Sequence, residues 1–248
     1  MAVTWNPWHG CRPVSPGCQN CYVYAMDRLH GRDSSQIYRT RTFDLPLAKD
    51  RQGAFKIPSG TLVYTCFTSD FFLEEADPWR PRAWEIIRRR RDLQFLFITK
   101  RIHRFWDCIP SDWGSGYPNV HIGCTAEDQQ RAEERLPLFL RAPICRRSIA
   151  CEPLLGPIDL SPYLGPEITE VLAGGESGRH ARVCDFQWIL DLRSQCIQAQ
   201  VPFAFHQTGA KLKKDGRLYT IPRSQQHPQA RRANVDWNLR DRGPIDWE

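Results

Sequence analysis

The chain has 248 residues, with 34 Lys and Arg against 28 Asp and Glu for a net charge of +6. That length suits one sizeable core, typically a single α/β domain, and no apolar run reaches the roughly 18 residues a membrane-spanning helix needs. The ten cysteines are not laid out as a disulfide framework and no signal sequence leads the chain, so a reducing cytoplasm is the expected compartment and disulfide-stapled secreted classes are excluded.

The first element is a short strand, Ala2-Val3-Thr4-Trp5. Cys11 follows, then six residues with two prolines and a glycine, then Cys18-Gln19-Asn20-Cys21. A stiff loop of this kind can wrap its flanking thiolates around a metal, and two residues between cysteines let both sulfurs face one centre. No fourth cysteine lies nearby. Three thiolates suit an iron–sulfur cluster with one open iron, whereas a closed electron-transfer cluster wants four. Zinc completed by His9 as a Cys3His site, or a metal-free structural or redox role, stay open alternatives.

A helix is expected over about 20–29. Residues 31–60, broken by Gly31, Pro46, Gly53 and Pro58, form a polar excursion in which Arg39 and Arg41 are candidate anion contacts, though solvation is their ordinary state. From residue 61 a β/α pattern repeats. Strands are expected at 61–67, 93–98, 119–123, 147–150, 170–173 and 201–205, with helices at 80–91, from about 128 towards 140, and at 185–199. Thr125 and Asp128 form a Thr-x-x-Asp capping signal for the helix containing Pro137, which should kink or end it.

Strands alternating with helices pair in parallel, and right-handed crossovers bring every strand's C-terminal end to one face. The expected fold class is therefore α/β, a single (β/α) partial barrel of about six to seven parallel strands spanning 1–214, with an irregular extension or lid at 215–248. Seven strand ends offer the cysteines, Asp70, Lys100, Glu127, Glu152, Glu176 and His206 to one mouth, the face where such barrels place chemistry. That convergence argues for an enzyme.

The phrases Thr4-Trp5-Asn6-Pro7, Val14-Ser15-Pro16-Gly17-Cys18, Thr99-Lys100-Arg101, Cys151-Glu152-Pro153-Leu154-Leu155-Gly156-Pro157-Ile158 and Gly174-Gly175-Glu176-Ser177-Gly178 resemble a phage and bacterial three-cysteine-motif family of unassigned function. That family in turn resembles the radical S-adenosylmethionine enzymes. The resemblance implies that Cys11, Cys18 and Cys21 hold a 4Fe–4S cluster whose open iron binds S-adenosylmethionine. It also implies cleavage to methionine and a 5′-deoxyadenosyl radical, and a reductant such as flavodoxin or ferredoxin. The first cysteine gap is wider than the usual three residues, so the final Cys-x-x-Cys carries the match. The Gly-Gly-Glu signature normally follows the second strand, which here ends in Thr68-Ser69-Asp70. Position therefore assigns the methionine end to Ser69 and Asp70, and the ribose to Thr125 and Glu127, with Gly174 and Gly175 as further cofactor contacts. Lys100 and Arg101 are placed for a carboxylate or substrate phosphate, and Lys100, Glu152, Glu176 and His206 are the candidate catalytic residues. His206 and Thr208 stand where the family commonly has lysine and tryptophan.

Three classes of function follow: a radical enzyme, a zinc-stabilised nucleic-acid-binding module, and a non-catalytic iron–sulfur subunit of a partner protein. For the substrate, Arg88-Arg89-Arg90-Arg91 reads as the basic end of a helix. Lys211, Lys213 and Lys214, with Arg231 and Arg232, instead lie where they can guide a nucleic-acid phosphate backbone. Trp237 and Trp247 are candidate anchors of the extension.

Overall fold

The computed structural model describes residues 2–238. The chain opens with β1 (Ala2–Trp5) and β2 (Trp8–His9), passes through the cysteine loop into α1 (Tyr22–Leu29), and returns as β3 (Tyr38–Arg39), which pairs with β2. Then come β4 (Leu62–Thr65), α2 (Arg80–Arg89), β5 (Gln94–Thr99), α3 (Phe105–Cys108), β6 (Val120–Thr125), α4 (Gln129–Arg141), β7 (Arg146–Cys151) and β8 (Ile168–Gly174). The last part holds β9 (Cys184–Asp185), α5 (Phe186–Gln198), β10 (Phe203–Gln207), β11 (Lys211–Lys214), β12 (Arg217–Thr220) and α6 (Arg223–Ala233).

Seven strands form one sheet in the order β1-β4-β5-β6-β7-β8-β10, every neighbour parallel. Because this order follows the chain, crossovers of one hand place the helices on one face, and the sheet curls into a half-barrel. Alternation along each strand divides the side chains. Phe95, Phe97, Ile122, Cys124, Ile149, Val171, Phe203 and Phe205 enter the core beneath the helices. Tyr64, Leu96, Ala150, Leu172 and Ala204 are buried but stand outside that core, on the concave face. The helix side is aromatic: Phe71 stacks on Phe97 at 4.4 Å, with Trp84, Phe105 and Trp113 edge-on around them.

Several local expectations are corrected. Thr125 is the last residue of β6, paired with Ala150, so it does not cap α4; Asp128 does, its carboxylate accepting from Arg131 N at 2.8 Å. The helix also runs through Pro137 to Arg141. Buried Ala132, Arg135, Leu136 and Phe139 pin it on both sides of the missing N–H. In the arginine run, Arg90 is fully buried and donates to Pro46 O, Ile57 O and Asp92, tying the excursion to the sheet, while Arg88 pairs with Asp112. Arg39 pairs with Asp44 and lies over Phe43.

Up to residue 238, the extension is built of regular elements. Residues 214 and 215 lie at the turn of one hairpin, β11–β12, whose inner strand pairs with β9 in a small C-terminal sheet. Then α6 packs on β10, and Trp237 exchanges two backbone hydrogen bonds with Phe203, both 2.9 Å. Covering an edge strand in this way removes a surface that would pair with other chains. Trp247 lies outside the described residues. No helix among those described is long and apolar enough to cross a membrane.

Candidate functional site

The cysteine loop begins where Gly10 turns the chain with φ +91°; a Cβ there would stand 2.6 Å from Gln36 O, so glycine is required. Cys11 N then donates to Ser34 O at 2.9 Å, and a single helical turn at Pro16–Cys18 leads to Cys21, directly ahead of α1. The loop lies at the C-terminal ends of the strands, and the polar residues at those ends hold it.

Four clamps do this. Ser69 Oγ donates to Gly10 O at 2.5 Å. Asp70 accepts from Thr99 Oγ1, Phe72 N, Lys100 N and, at 3.2 Å, the buried Arg101, which in turn donates to Arg12 O at 2.5 Å and lies 3.7 Å from Cys11 Sγ. Glu127, with no exposed surface, accepts from Gly17 N at 3.2 Å and from Arg135 of α4 at 2.7 Å. Glu176 accepts from Asn20 Nδ2 at 2.9 Å and pairs with Arg182, whose guanidinium also reaches Pro16 O. Ser69, Asp70, Glu127 and Glu176 thus act on the loop's backbone and on its neighbours. In the sequence reading the first three met S-adenosylmethionine and Glu176 was catalytic; the contacts described are with the loop.

The Tyr24 hydroxyl donates to Cys11 O at 3.4 Å, and burial first, then the charges of Cys11, Cys18 and Cys21, raise its pKa. Burial likewise pushes Cys11 up to about 11, against Arg101, and raises Cys21, against the Val23 backbone N–H and Lys100. Among the described residues no three His, Cys, Asp or Glu side chains converge as a single metal ion requires. His9 Nε2 is bonded to the Asp27 carboxylate at 2.9 Å, which also accepts from Ser34, so only Nδ1 is left for a metal. The donor set does fit a cluster. Each thiolate would take a separate iron and so need not converge on one point, and the adjacent cations Arg101 and Lys100 offset the negative charge of a thiolate-bound cluster.

Beyond its backbone N–H, which donates to Asp70, Lys100 makes no hydrogen bond or ion pair with another described residue through its side chain, and its charge acts on both Cys21 and Glu127. Thr125, fully buried at the end of β6, has a hydroxyl with no hydrogen-bond partner, as does the buried hydroxyl of Thr68. An orphaned buried hydroxyl is unusual enough to point to a missing partner. Because that hydroxyl bonds nothing in the protein, Thr125→Val should leave the melting temperature within about 3 °C, read by thermal unfolding.

Gly174 and Gly175 serve backbone packing. A Cβ on Gly175 would collide with the carbonyl oxygen of Thr208, and one on Gly174 would meet Glu152 at 3.0 Å. These glycines let the ends of β8 and β10 touch. Beside them Glu152 accepts from His206 Nδ1 at 2.7 Å and from Gln207. Burial would raise Glu152, but the imidazole outweighs it and holds the carboxyl below its usual range. His227 of α6 stands edge-on to His206 at 4.6 Å, and Ser177 bridges Gln207 and Gln226. Of the basic rim, Lys213 pairs with Asp185 and Lys214 lies over Phe186, so both have partners on the hairpin's own side of the mouth.

Asn20, Arg135, Arg182, Gln207, Gln226 and His227 were not singled out from the sequence. Only Asn20, inside the Cys-x-x-Cys, carried a local signal.

No curated protein and no solved structure matches the chain. A family profile described as a protein of unknown function, DUF5131, matches residues 1–241. With a seven-stranded parallel half-barrel and a cysteine loop clamped across its mouth, the chain belongs to the DUF5131 family.

Proposed function

We propose that the protein is a radical S-adenosylmethionine-type enzyme, with Cys11, Cys18 and Cys21 holding a 4Fe–4S cluster. The observation that carries this reading is the set of clamps. Ser69, Arg101, Glu127, Glu176 and Arg182 hold the loop from several strand ends and the segments that follow them, and none of them uses a thiol as its sole point of attachment. A loop positioned by its backbone leaves its three sulfurs free for ligation and pre-organised at the barrel mouth. When bound, the cluster supplies the electron for reductive cleavage of S-adenosylmethionine.

The chain's own residues have distinct parts. Arg101, held by Asp70, places a positive charge beside Cys11. Lys100, with no protein anion of its own, is suited to a carboxylate such as that of the cofactor's methionine. The Thr125 hydroxyl is suited to a ribose hydroxyl. Glu152 and His206, hydrogen-bonded to each other on the far side of the mouth, form a proton-holding pair beside the substrate space.

The test is anaerobic reconstitution with iron and sulfide, metal analysis, and an assay for 5′-deoxyadenosine with a chemical reductant. A brown protein with about four irons that forms 5′-deoxyadenosine supports the reading. Colour without cleavage would leave a non-catalytic cluster subunit, and a colourless protein with stoichiometric zinc would leave a zinc module.

A further inference from the structure

The chain's positive charge is concentrated in one place. Residues 209–233 hold seven Lys and Arg against one acid, Asp215, a net +6 equal to that of the whole chain, so the remaining residues balance. Elsewhere the arginines are mostly paired: Arg12, Arg39, Arg82, Arg90, Arg104 and Arg135 each contact a carboxylate. Lys211, Arg217 and Arg223 contact none among the described residues. This segment is the β11–β12 hairpin and α6, and the hairpin's base lies at the mouth. Ala210 N donates to Glu176 O at 2.8 Å and Ile221 N to Ala210 O at 2.9 Å. Exposed Arg179, on the loop after β8, extends the same sign of charge.

We propose that this hairpin and the start of α6 bind the backbone of a single-stranded nucleic acid and lead it to the mouth. All four residues of β12 are exposed, and Tyr219 is 44% exposed. Paired registers put Lys214 opposite Arg217 and Leu212 opposite Tyr219, so Tyr219 shares a face with two cations. An exposed ring among cations suits an unpaired base stacked beside its phosphates, whereas the bases of a duplex are already stacked. An anionic membrane fits less well. Leu218 and Tyr219 are consecutive, point to opposite faces, and so offer no continuous apolar surface for insertion. That the strand is a substrate rests on the reading above; that it binds does not.

The experiment is fluorescence anisotropy with labelled single-stranded DNA, single-stranded RNA and duplex DNA, between about 50 and 200 mM salt. The full chain is used in both cluster-free and reconstituted form. Binding to one of the single strands is expected in both forms, tighter than to the duplex and weakening steeply with salt; which strand binds better identifies RNA or DNA. The triple variant Lys214→Glu, Arg217→Glu, Arg223→Glu should flatten the log–log salt slope by about two, at about 0.7 per lost contact. Tyr219→Ala should weaken binding on the order of tenfold. Lys49→Glu, Arg51→Glu, Lys56→Glu removes the same charge from the 31–60 excursion and should change affinity by no more than about twofold at the higher salt, where long-range effects are screened. The proposal is overturned by absence of salt-dependent binding, by equal weakening in the two triple variants, by preference for the duplex, or by tighter binding to phosphatidylserine vesicles. Binding without 5′-deoxyadenosine formation would leave this proposal standing and remove the enzyme reading.

Discussion

Changing Cys11, Cys18 or Cys21 to Ala is expected to reduce iron from about four per chain to background and to abolish 5′-deoxyadenosine formation. Cys66→Ala and Cys108→Ala should retain both. The contrast follows from environment: Cys66 and Cys108 are buried in the hydrophobic core and behave as small apolar residues, while the three loop cysteines are only partly buried. The clamps add a second expectation. Because they act mainly through backbone atoms, Asn20 and Arg101, each loop variant should melt within about 3 °C of the cluster-free wild type. Full iron content in Cys18→Ala would remove the proposed ligand set.

The other large effect is expected at Glu127. Glu127→Ala leaves Arg135 buried without its carboxylate and frees Gly17, so it should cost about 3–5 kcal/mol, or roughly 6–20 °C in melting temperature. It should also lower cluster retention, because the loop between Cys11 and Cys18 loses its anchor. A structural role predicts that Glu127→Ala with Arg135→Met costs less than Glu127→Ala alone, since no unpaired charge then remains. The sequence reading made Glu127 a ribose contact whose loss would spare the fold; its complete burial against Arg135 reverses that expectation. The pH dependence has a definite sign. Burial would raise Glu127, but Arg135, with Ser15 and Lys100, outweighs it and lowers its pKa. A lowered folded pKa contributes stability that is present above the ordinary glutamate range and is lost as pH falls through the folded value. Unfolding measured from neutral pH downward should therefore show a steeper acid loss in the wild type than in Glu127→Gln. Parallel curves would deny the pair this role.

The sequence by itself determined the strands of the parallel sheet, most of the helices between them and the location of the mouth. Runs such as Leu62–Thr65 and Gln94–Thr99 are mostly aliphatic, β-branched or aromatic on both faces, as strands covered on both sides must be, and each is followed by polar residues. Their alternation with helices selects parallel pairing, because only a crossover returns the chain to the same end of the sheet. These are short-range patterns that need no knowledge of distant residues. The tertiary structure alone decided what each polar residue does. Glu127 meets Gly17 across 110 positions and Glu176 meets Asn20 across 156, so nothing local distinguishes a clamp from a cofactor ligand. Arg135 reads as any arginine on a helix until α4 lies along β6, and His227 reads as part of a polar tail until α6 covers β10. The same holds for charge. Lys211 and Lys213 stand two apart in one strand, yet only Lys213 finds a carboxylate, because pairing of β11 with β9 brings Asp185 beside it.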